Sequence, residues 1–307
     1  MLYDVIIIGG GPAGMAVALN TLRNGRTCLL LEKENFGGQM ATSPKLENIP
    51  GIKAISGSEY ADQMFDQITE MGAEFELEDV LNIKKEDEKF IITTNYNTYE
   101  SWVVVLANGC HHRKMNLPNE DNLIGKGISY CAVCDGAFYK GQTTNIIGDA
   151  NTALQYALLL SNYCPQVNIW ALFDHLFGDQ ILIQRIIDNP KIKVAYNVSL
   201  NEFVGDDELK ALKFFDKKEK REFVVETNNV FVAIGQIPCN EPFKDLVELD
   251  SKGFVVTNDN METSCAGVYA VGDTRVKDIR QVVTALGDAS IASVYINRYI
   301  QSLNRND

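Results

Sequence analysis

The chain has 307 residues, 46% of them hydrophobic and 22% charged, which is enough for two domains with separate cores. A formal net charge of −13 argues against nucleic acid or an anionic membrane surface as partner. No apolar run reaches the length of a bilayer span, and the first residues lack a basic n-region and a cleavage site, so a cytoplasmic protein is expected.

Residues 3–8 form a short apolar run and read as a buried parallel strand. Gly9-Gly10-Gly11-Pro12-Ala13-Gly14 follows and opens a helix that should stop at Asn24-Gly25. The next strand spans residues 27–31 and ends at Glu32. Gly9, Gly11 and Gly14 thus give G-x-G-x-x-G between a strand and a helix. The first glycine permits the tight turn, the second lets a pyrophosphate approach the backbone, and the third lets helix and strand pack closely. Free N–H groups at the helix start favour phosphate. Glu32 places a carboxylate where ribose hydroxyls lie, which favours FAD or NAD over NADP.

Ser56 and Ser58 can cap a helix to about Met71, and residues 89–94 and 99–106 read as strands. The chain has seven cysteines, of which only Cys131 and Cys134 have redox spacing. Such a pair reads as redox chemistry or metal binding before it reads as a staple, and Asp135 beside it can handle a proton. The adjacent His111 and His112 would splay on a strand, which argues against zinc.

A second strand–helix–strand unit is predicted over residues 144–147, 151–162 and 167–171. Its loop reads Gly148-Asp149-Ala150-Asn151-Thr152-Ala153. The Ala150 methyl stands where the middle glycine would admit a pyrophosphate. Asp149 sets a carboxylate against two phosphates, a repulsion of roughly 1–3 kcal/mol at about 5 Å. Past the next strand, Ala171-Leu172-Phe173 offers neither arginines for a 2′-phosphate nor an acid for a ribose, and Asp174 comes late. This half reads as a domain that binds no nucleotide. Residues 224–234 read as one strand, residues 267–271 as a strand leading into Gly272-Asp273, and residues 281–300 as the last amphipathic helix. The pattern predicts an α/β fold of two Rossmann-like nucleotide-binding domains, the second inserted in the first; the boundaries, 1–113 plus 242–307 and 114–241, come partly from the resemblance given below.

Together these motifs resemble one family, the low-molecular-weight flavin thioredoxin reductases, over nearly the whole chain. The segments that carry the resemblance are Gly9–Gly14, Gly37-Gly38-Gln39, Glu47-Asn48-Ile49-Pro50-Gly51, Ala107-Asn108-Gly109 (with Asn where Thr is usual), Cys131–Gly136, Val232-Ala233-Ile234-Gly235, Val271-Gly272-Asp273 and Arg280-Gln281-Val282. The resemblance implies a glutathione-reductase-type fold, a homodimer and FAD. It implies FAD contacts from Gly9, Gly11, Pro12, Ala13, Gly14, Glu32, Lys33, Gly38, Gln39 and Asn48. Further contacts are implied from Val80, Ala107, Asn108, Gly109, Gly272, Asp273, Arg280, Gln281 and Val282. The helix after Gln281 would aim its N-terminus at the flavin ring. Cys134 would be the thiol that reacts with the flavin, Cys131 the one that attacks the thioredoxin disulfide, and Asp135 the proton donor and acceptor.

The departures are equally specific. The family's second loop, G-x-G-x-x-A, meets Asp149 and Ala150 here. Its His-Arg-Arg stretch with a further arginine falls on Ala171, Leu172, Phe173 and Phe177. In this the chain resembles the ferredoxin-dependent branch, which takes no electrons from pyridine nucleotides. That similarity implies thioredoxin and ferredoxin as partners. Docking an acidic ferredoxin would need a basic patch, for which Arg113, Lys114, Lys126, Lys140, Arg275, Lys277 and Arg280 are candidates. An NAD(P)H-dependent thioredoxin reductase, an FAD-dependent dithiol oxidase and a non-catalytic flavin redox sensor stay open as alternatives.

Overall fold

The computed structural model describes residues 1–41, 46 and 49–303. The chain divides into two compact units, Met1–His111 with Ile237–Asp307, and His112–Gln236.

The first unit opens with β1 (Leu2–Ile8), α1 (Pro12–Arg23), β2 (Cys28–Glu32), the short α2 (Gly38–Ala41), α3 (Gly57–Glu70) and β3 (Glu74–Leu77). Strands β4 (Val80–Glu86), β5 (Lys89–Thr94) and β6 (Thr98–Leu106) follow, and the chain returns later with β17 (Val268–Ala270) and α8 (Val282–Leu303). The sheet order is β3-β2-β1-β6-β5-β4, with β17 also on β6. Strand β1 is apolar from Val5 to Ile8, where it is central: Val5 lies opposite Cys28 of β2 and Val103 of β6, both in parallel register. Val5, Ile7, Val103 and Val105 pack against helices through Val17, Ala289, Ala292 and Ile296. Ile6, Ile8, Leu29, Leu31 and Val104 fill a second core with Phe90 and Phe243. Helix α3 is capped as its sequence suggests, Ser56 Oγ accepting from Glu59 N at 3.1 Å.

The second unit is entered through β7 (Cys110–His112) and continues with α4 (Glu120–Leu123), β8 (Ile128–Ser129), the one-turn α5 (Ala132–Asp135), β9 (Thr143–Ile147), α6 (Asn151–Leu160) and β10 (Gln166–Trp170). Then come α7 (Gln180–Asp188), β11 (Ile192–Ala195), β12 (Val198–Gly205), β13 (Leu209–Asp216), β14 (Arg221–Glu226), β15 (Val230–Val232) and β16 (Gln236–Pro238). One parallel sheet runs β11-β10-β9-β15-β8, and a separate antiparallel sheet runs β12-β13-β14. Both units are therefore Rossmann-like α/β layers.

The single strand expected over 224–234 is two strands in two different sheets. The break falls at Thr227-Asn228-Asn229. There the Thr227 hydroxyl donates to Asn229 O at 3.1 Å and the buried Asn229 amide donates to Thr143 O at 3.0 Å. These polar side chains satisfy the backbone of a turn inside an otherwise apolar run. Among the described residues no helix is long and apolar enough to cross a membrane.

Candidate active site

The two glycine loops follow one backbone path with different side chains. Gly9 has φ +108°, and a Cβ there would drive into the Ala107 carbonyl at the end of β6. Gly148 has φ +147°, and a Cβ there would drive into the Ala233 carbonyl just past β15. Each first glycine is thus demanded by the passing neighbour strand. The residues that start the helices also match: Gly11 has φ −74° and ψ −178°, Ala150 has φ −112° and ψ −179°. Both are extended conformations open to any residue. A Cβ on Gly11 would meet nothing within 4 Å. The fold itself does not require glycine there, so the open space before α1 fits a ligand such as a pyrophosphate.

Around that space the first unit gathers most of the expected residues. Pro12 opens α1, and Ala13 is buried behind it. Glu32 accepts from Gly10 N at 2.7 Å and from Glu34 N at 2.9 Å, so it first ties the loop to β2 and keeps its remaining lone pairs for hydroxyls. Lys33 is exposed and pairs with Glu34 at 3.6 Å. Gly38 faces Gly11, its added Cβ falling 3.3 Å from the Gly11 Cα. The Gln39 amide donates to the Cys110 carbonyl, and the Cys110 thiol donates to Asp273 O at 2.9 Å. Gly109 has φ +61° between these groups. Gly272, with φ +74°, sits against the first turn of α1, since a Cβ on it would lie 2.8 Å from Ala13 Cβ.

Asp273 Oδ1 is buried without a hydrogen-bond partner. Burial pushes this carboxyl up, while Lys277 and Arg280 pull it down and Asp288 pushes it up again. An orphaned buried acceptor needs an explanation, and a hydroxyl of a bound ribityl chain supplies one. Asn108, in the place usual for threonine, donates to Cys239 O at 3.0 Å and to Asn240 Oδ1 at 2.9 Å, and accepts from Thr274 Oγ1 at 3.2 Å. Arg280 stacks over Phe254 at 4.2 Å. Gln281 N donates to Thr284 Oγ1 at 3.2 Å as α8 begins at Val282. Val80 buries its side chain in the second core with Ile83. Asn48 lies outside the described residues.

In the second unit Cys131 and Cys134 are joined as a disulfide, their Cα atoms 5.2 Å apart. Cys131 caps α5, its sulfur accepting from Cys134 N at 3.1 Å. The Ser129 hydroxyl brackets Cys131, accepting from its N–H at 3.0 Å and donating to its carbonyl at 3.3 Å. The two sulfurs are inequivalent: Cys134 is buried, Cys131 half-buried, and Asp135 at the end of the turn is half-buried too. Gly136 is needed because a Cβ there would lie 2.5 Å from the Tyr163 hydroxyl. The turn is braced from behind. The Tyr156 hydroxyl donates to Tyr130 O at 3.1 Å, and the Tyr130 hydroxyl donates to Glu120. Glu120 is buried and also accepts from Met115 N at 2.9 Å and Leu117 N at 3.3 Å.

The loop ahead of α6 is paired through its backbone with the segment after β10, and Ala150 stays exposed. Phe177 N donates to Asp149 O at 2.7 Å, and Phe177 pairs with Ala150 as a parallel bridge. Asp179 N donates to the Asn151 side chain at 2.7 Å. Burial pushes the Asp149 carboxyl up. Leu172, Phe173 and Phe177 are exposed, with the His175 ring 4.3 Å from Phe177. The stretch from Ala171 to Asp179 carries no lysine or arginine, and Lys217 Nζ donates to Leu172 O at 3.3 Å. A cavity of about 40 Å³ remains at the end of this sheet, lined by His112, Tyr130, Thr152 and Tyr156 among others. That is room for a few waters.

The family described as pyridine nucleotide-disulphide oxidoreductase matches residues 3–289. A thioredoxin reductase of Bacillus subtilis is 36% identical over 303 residues, covering 98% of this chain and 96% of the relative. The chain belongs to the low-molecular-weight thioredoxin reductase family. A thioredoxin reductase of Treponema pallidum is 38% identical, with 98% of each chain covered. A crystal structure of Lactococcus lactis thioredoxin reductase has a TM-score of 0.84 at 34% identity, covering 98% of this chain and 99% of that one. As a member of the thioredoxin reductase family the chain is a flavin disulfide oxidoreductase, and its cofactor is FAD.

Four of the cations named as candidates for a docking patch have partners within their own unit. Lys114 is paired with Asp121 at 2.7 Å. Arg275 and Lys277 are drawn into the first unit by Asp288, at 3.4 and 2.9 Å, and Arg280 is occupied by Phe254. Buried or paired cations are poor long-range attractors. Arg113, Lys126 and Lys140 stay exposed on the second unit. Sequence reasoning missed Asp288 altogether. The available signal was an acid on the core stripe of α8, beside Ala285, Ala289 and Ala292, where an unpaired charge is not tolerated.

Proposed function

We propose that this flavin disulfide oxidoreductase reduces thioredoxin through Cys131–Cys134, acts as a homodimer, and takes its electrons from reduced ferredoxin rather than NADPH. The observation that carries the donor assignment is the loop at Asp149-Ala150, which keeps the path of a phosphate cradle but carries a methyl, a carboxylate and a paired Phe177 where phosphates would lie. The names of the relatives support thioredoxin as the acceptor. The family's description favours a pyridine nucleotide as donor, so that reading is the one to exclude.

Bound FAD supplies the ability to accept electrons singly and release them in pairs. The N–H groups at Gly11–Gly14 hold its pyrophosphate, Glu32 its adenosine ribose, and Asp273 a ribityl hydroxyl. The N-terminal end of α8 at Val282 favours negative charge on the ring. We assign Cys134, the buried sulfur, to exchange with the flavin and Cys131, the outer one, to the partner. The Cys131 thiolate attacks the thioredoxin disulfide, giving a mixed disulfide and one thioredoxin thiolate. Cys134 then attacks Cys131, which closes the pair again and releases dithiol thioredoxin. Asp135 gives and takes the protons at the sulfurs.

The test is anaerobic reduction of thioredoxin with reduced ferredoxin as sole donor, beside a titration of the bound flavin with NADPH and NADH. The reading expects turnover with ferredoxin, none with Cys134→Ser, and no prompt bleaching by either nucleotide. Rapid bleaching at micromolar NADPH, or equal rates for wild type and Cys134→Ser, would overturn it.

A further inference from the structure

We propose that Asp288 is a positioning residue for bound FAD: it clamps the Gly272–Asp273 turn and balances the charge around it. The inference rests on the reading of Gly272 and Asp273 as flavin contacts.

Asp288 lies on α8 with its side chain only 11% exposed. A carboxylate so placed persists only when it is paired and fully hydrogen-bonded. Its Oδ2 accepts from Gly272 N at 3.0 Å and from Lys277 Nζ at 2.9 Å, and its Oδ1 accepts from Arg275 Nη1 at 3.4 Å. Arg275 is oriented in turn by Thr257, whose hydroxyl accepts from Nε at 2.8 Å. One acid therefore joins the Gly272 turn, the segment after it and the last helix.

The turn has little freedom otherwise. Gly272 has φ +74°, and the first turn of α1 leaves no room for a Cβ on it. The hydrogen bond from Gly272 N to Asp288 fixes the peptide that leads into Asp273, whose Oδ1 waits without a partner. Charge is balanced as well as geometry. Asp273 and Asp288 face Lys277 and Arg275, with Arg280 Nε 3.5 Å from Asp273 O. Removing the charge of Asp288 leaves an excess of positive charge beside Asp273, which favours a more electron-rich ligand there. Removing Lys277 does the reverse. A purely structural role for Asp288 would lower stability in both variants but would not move a potential in opposite directions.

The experiment compares holoprotein of wild type, Asp288→Asn, Lys277→Met, the double variant and Asp273→Asn. It reads the midpoint potential of the bound flavin by spectroelectrochemistry and FAD retention on dialysis. Asp288→Asn should raise the potential and hold FAD about tenfold less tightly, the usual scale for losing an outer partner of a ligand-holding group. Lys277→Met should lower the potential, and the double variant should return toward wild type. A folded Asp288→Asn with unchanged potential and retention overturns the proposal. If that variant does not fold, an unchanged potential in Lys277→Met overturns it instead. If Asp273→Asn loosens FAD while Asp288→Asn does not, this proposal alone fails. If Asp273→Asn is silent as well, the flavin-contact reading fails with it.

Discussion

Replacing Gly11 by alanine separates what the first loop does for the fold from what it does for FAD. The backbone there, φ −74° and ψ −178°, is ordinary for alanine, and the added methyl meets nothing within 4 Å. Folding of the FAD-free chain should therefore be unharmed, or favoured by about 0.4–1 kcal/mol because the unfolded chain loses freedom. The same methyl points into the space a pyrophosphate would fill. Overpacking of that kind costs about 1–3 kcal/mol, which corresponds to roughly 5- to 150-fold weaker FAD binding. Urea unfolding of the deflavinated protein measures the first quantity, and quenching of flavin fluorescence on titration measures the second. A Gly11→Ala protein that binds FAD as tightly as wild type would refute the placement of the pyrophosphate. One that loses apo stability by more than about 1 kcal/mol would refute the claim that the fold leaves this space open. The reciprocal change, Ala150→Gly, should not create an NADPH site, because Asp149 and the Phe177 pairing remain.

Gly148→Ala should instead damage the second unit, by about 2 kcal/mol or more, because φ +147° and the Ala233 carbonyl both exclude a Cβ; a change in urea midpoint within error would contradict this. Glu120→Gln should destabilise by about 1–3 kcal/mol, since one amide oxygen cannot serve Tyr130, Met115 N and Leu117 N together; an unchanged urea midpoint would contradict this. Burial, reinforced by the charge of Glu74, pushes the Cys28 thiol from 9.0 up to about 12. Below that range folded and unfolded chains both hold the proton, and between the two values only the folded chain does. Stability should then fall with rising pH by about 1.4 kcal/mol per unit. Cys28→Ala should lose about 2–3 kcal/mol less than wild type between pH ~9 and ~11. Parallel stability curves for the two proteins would sink the assignment.

The parts of the fold legible in sequence were those where local chemistry and tertiary need agree. Residues of β1 are apolar without alternation because strands flank both edges and helices or loops cover both faces, and Ser56 caps α3 through its own side chain. The Gly9 and Gly148 turns were readable because a backbone conformation demands them. Residues 192–216 were silent because β11, β12 and β13 mix charged and apolar residues, and their order in two sheets depends on partners far along the chain. The break between β14 and β15 was hidden because valines and a phenylalanine flank the Thr227–Asn229 turn on both sides. At the candidate site the glycines and the cysteine pair stood out by spacing. Asp288 and Asn240 did not, since each acts through a hydrogen bond to a distant segment. The pairing of Arg275 and Lys277 with the buried Asp288 was hidden for the same reason.

The shared path of the two glycine turns means that recognition of a coenzyme is separable from the architecture that would display it. On the proposed reading, a handful of side chains on a similar ribbon distinguish a loop that holds a coenzyme from one that does not. An ancestor could change its supply of reducing power by point substitutions, with no rebuilding of the lobe that carries the sulfurs, and a descendant could change back by the same route.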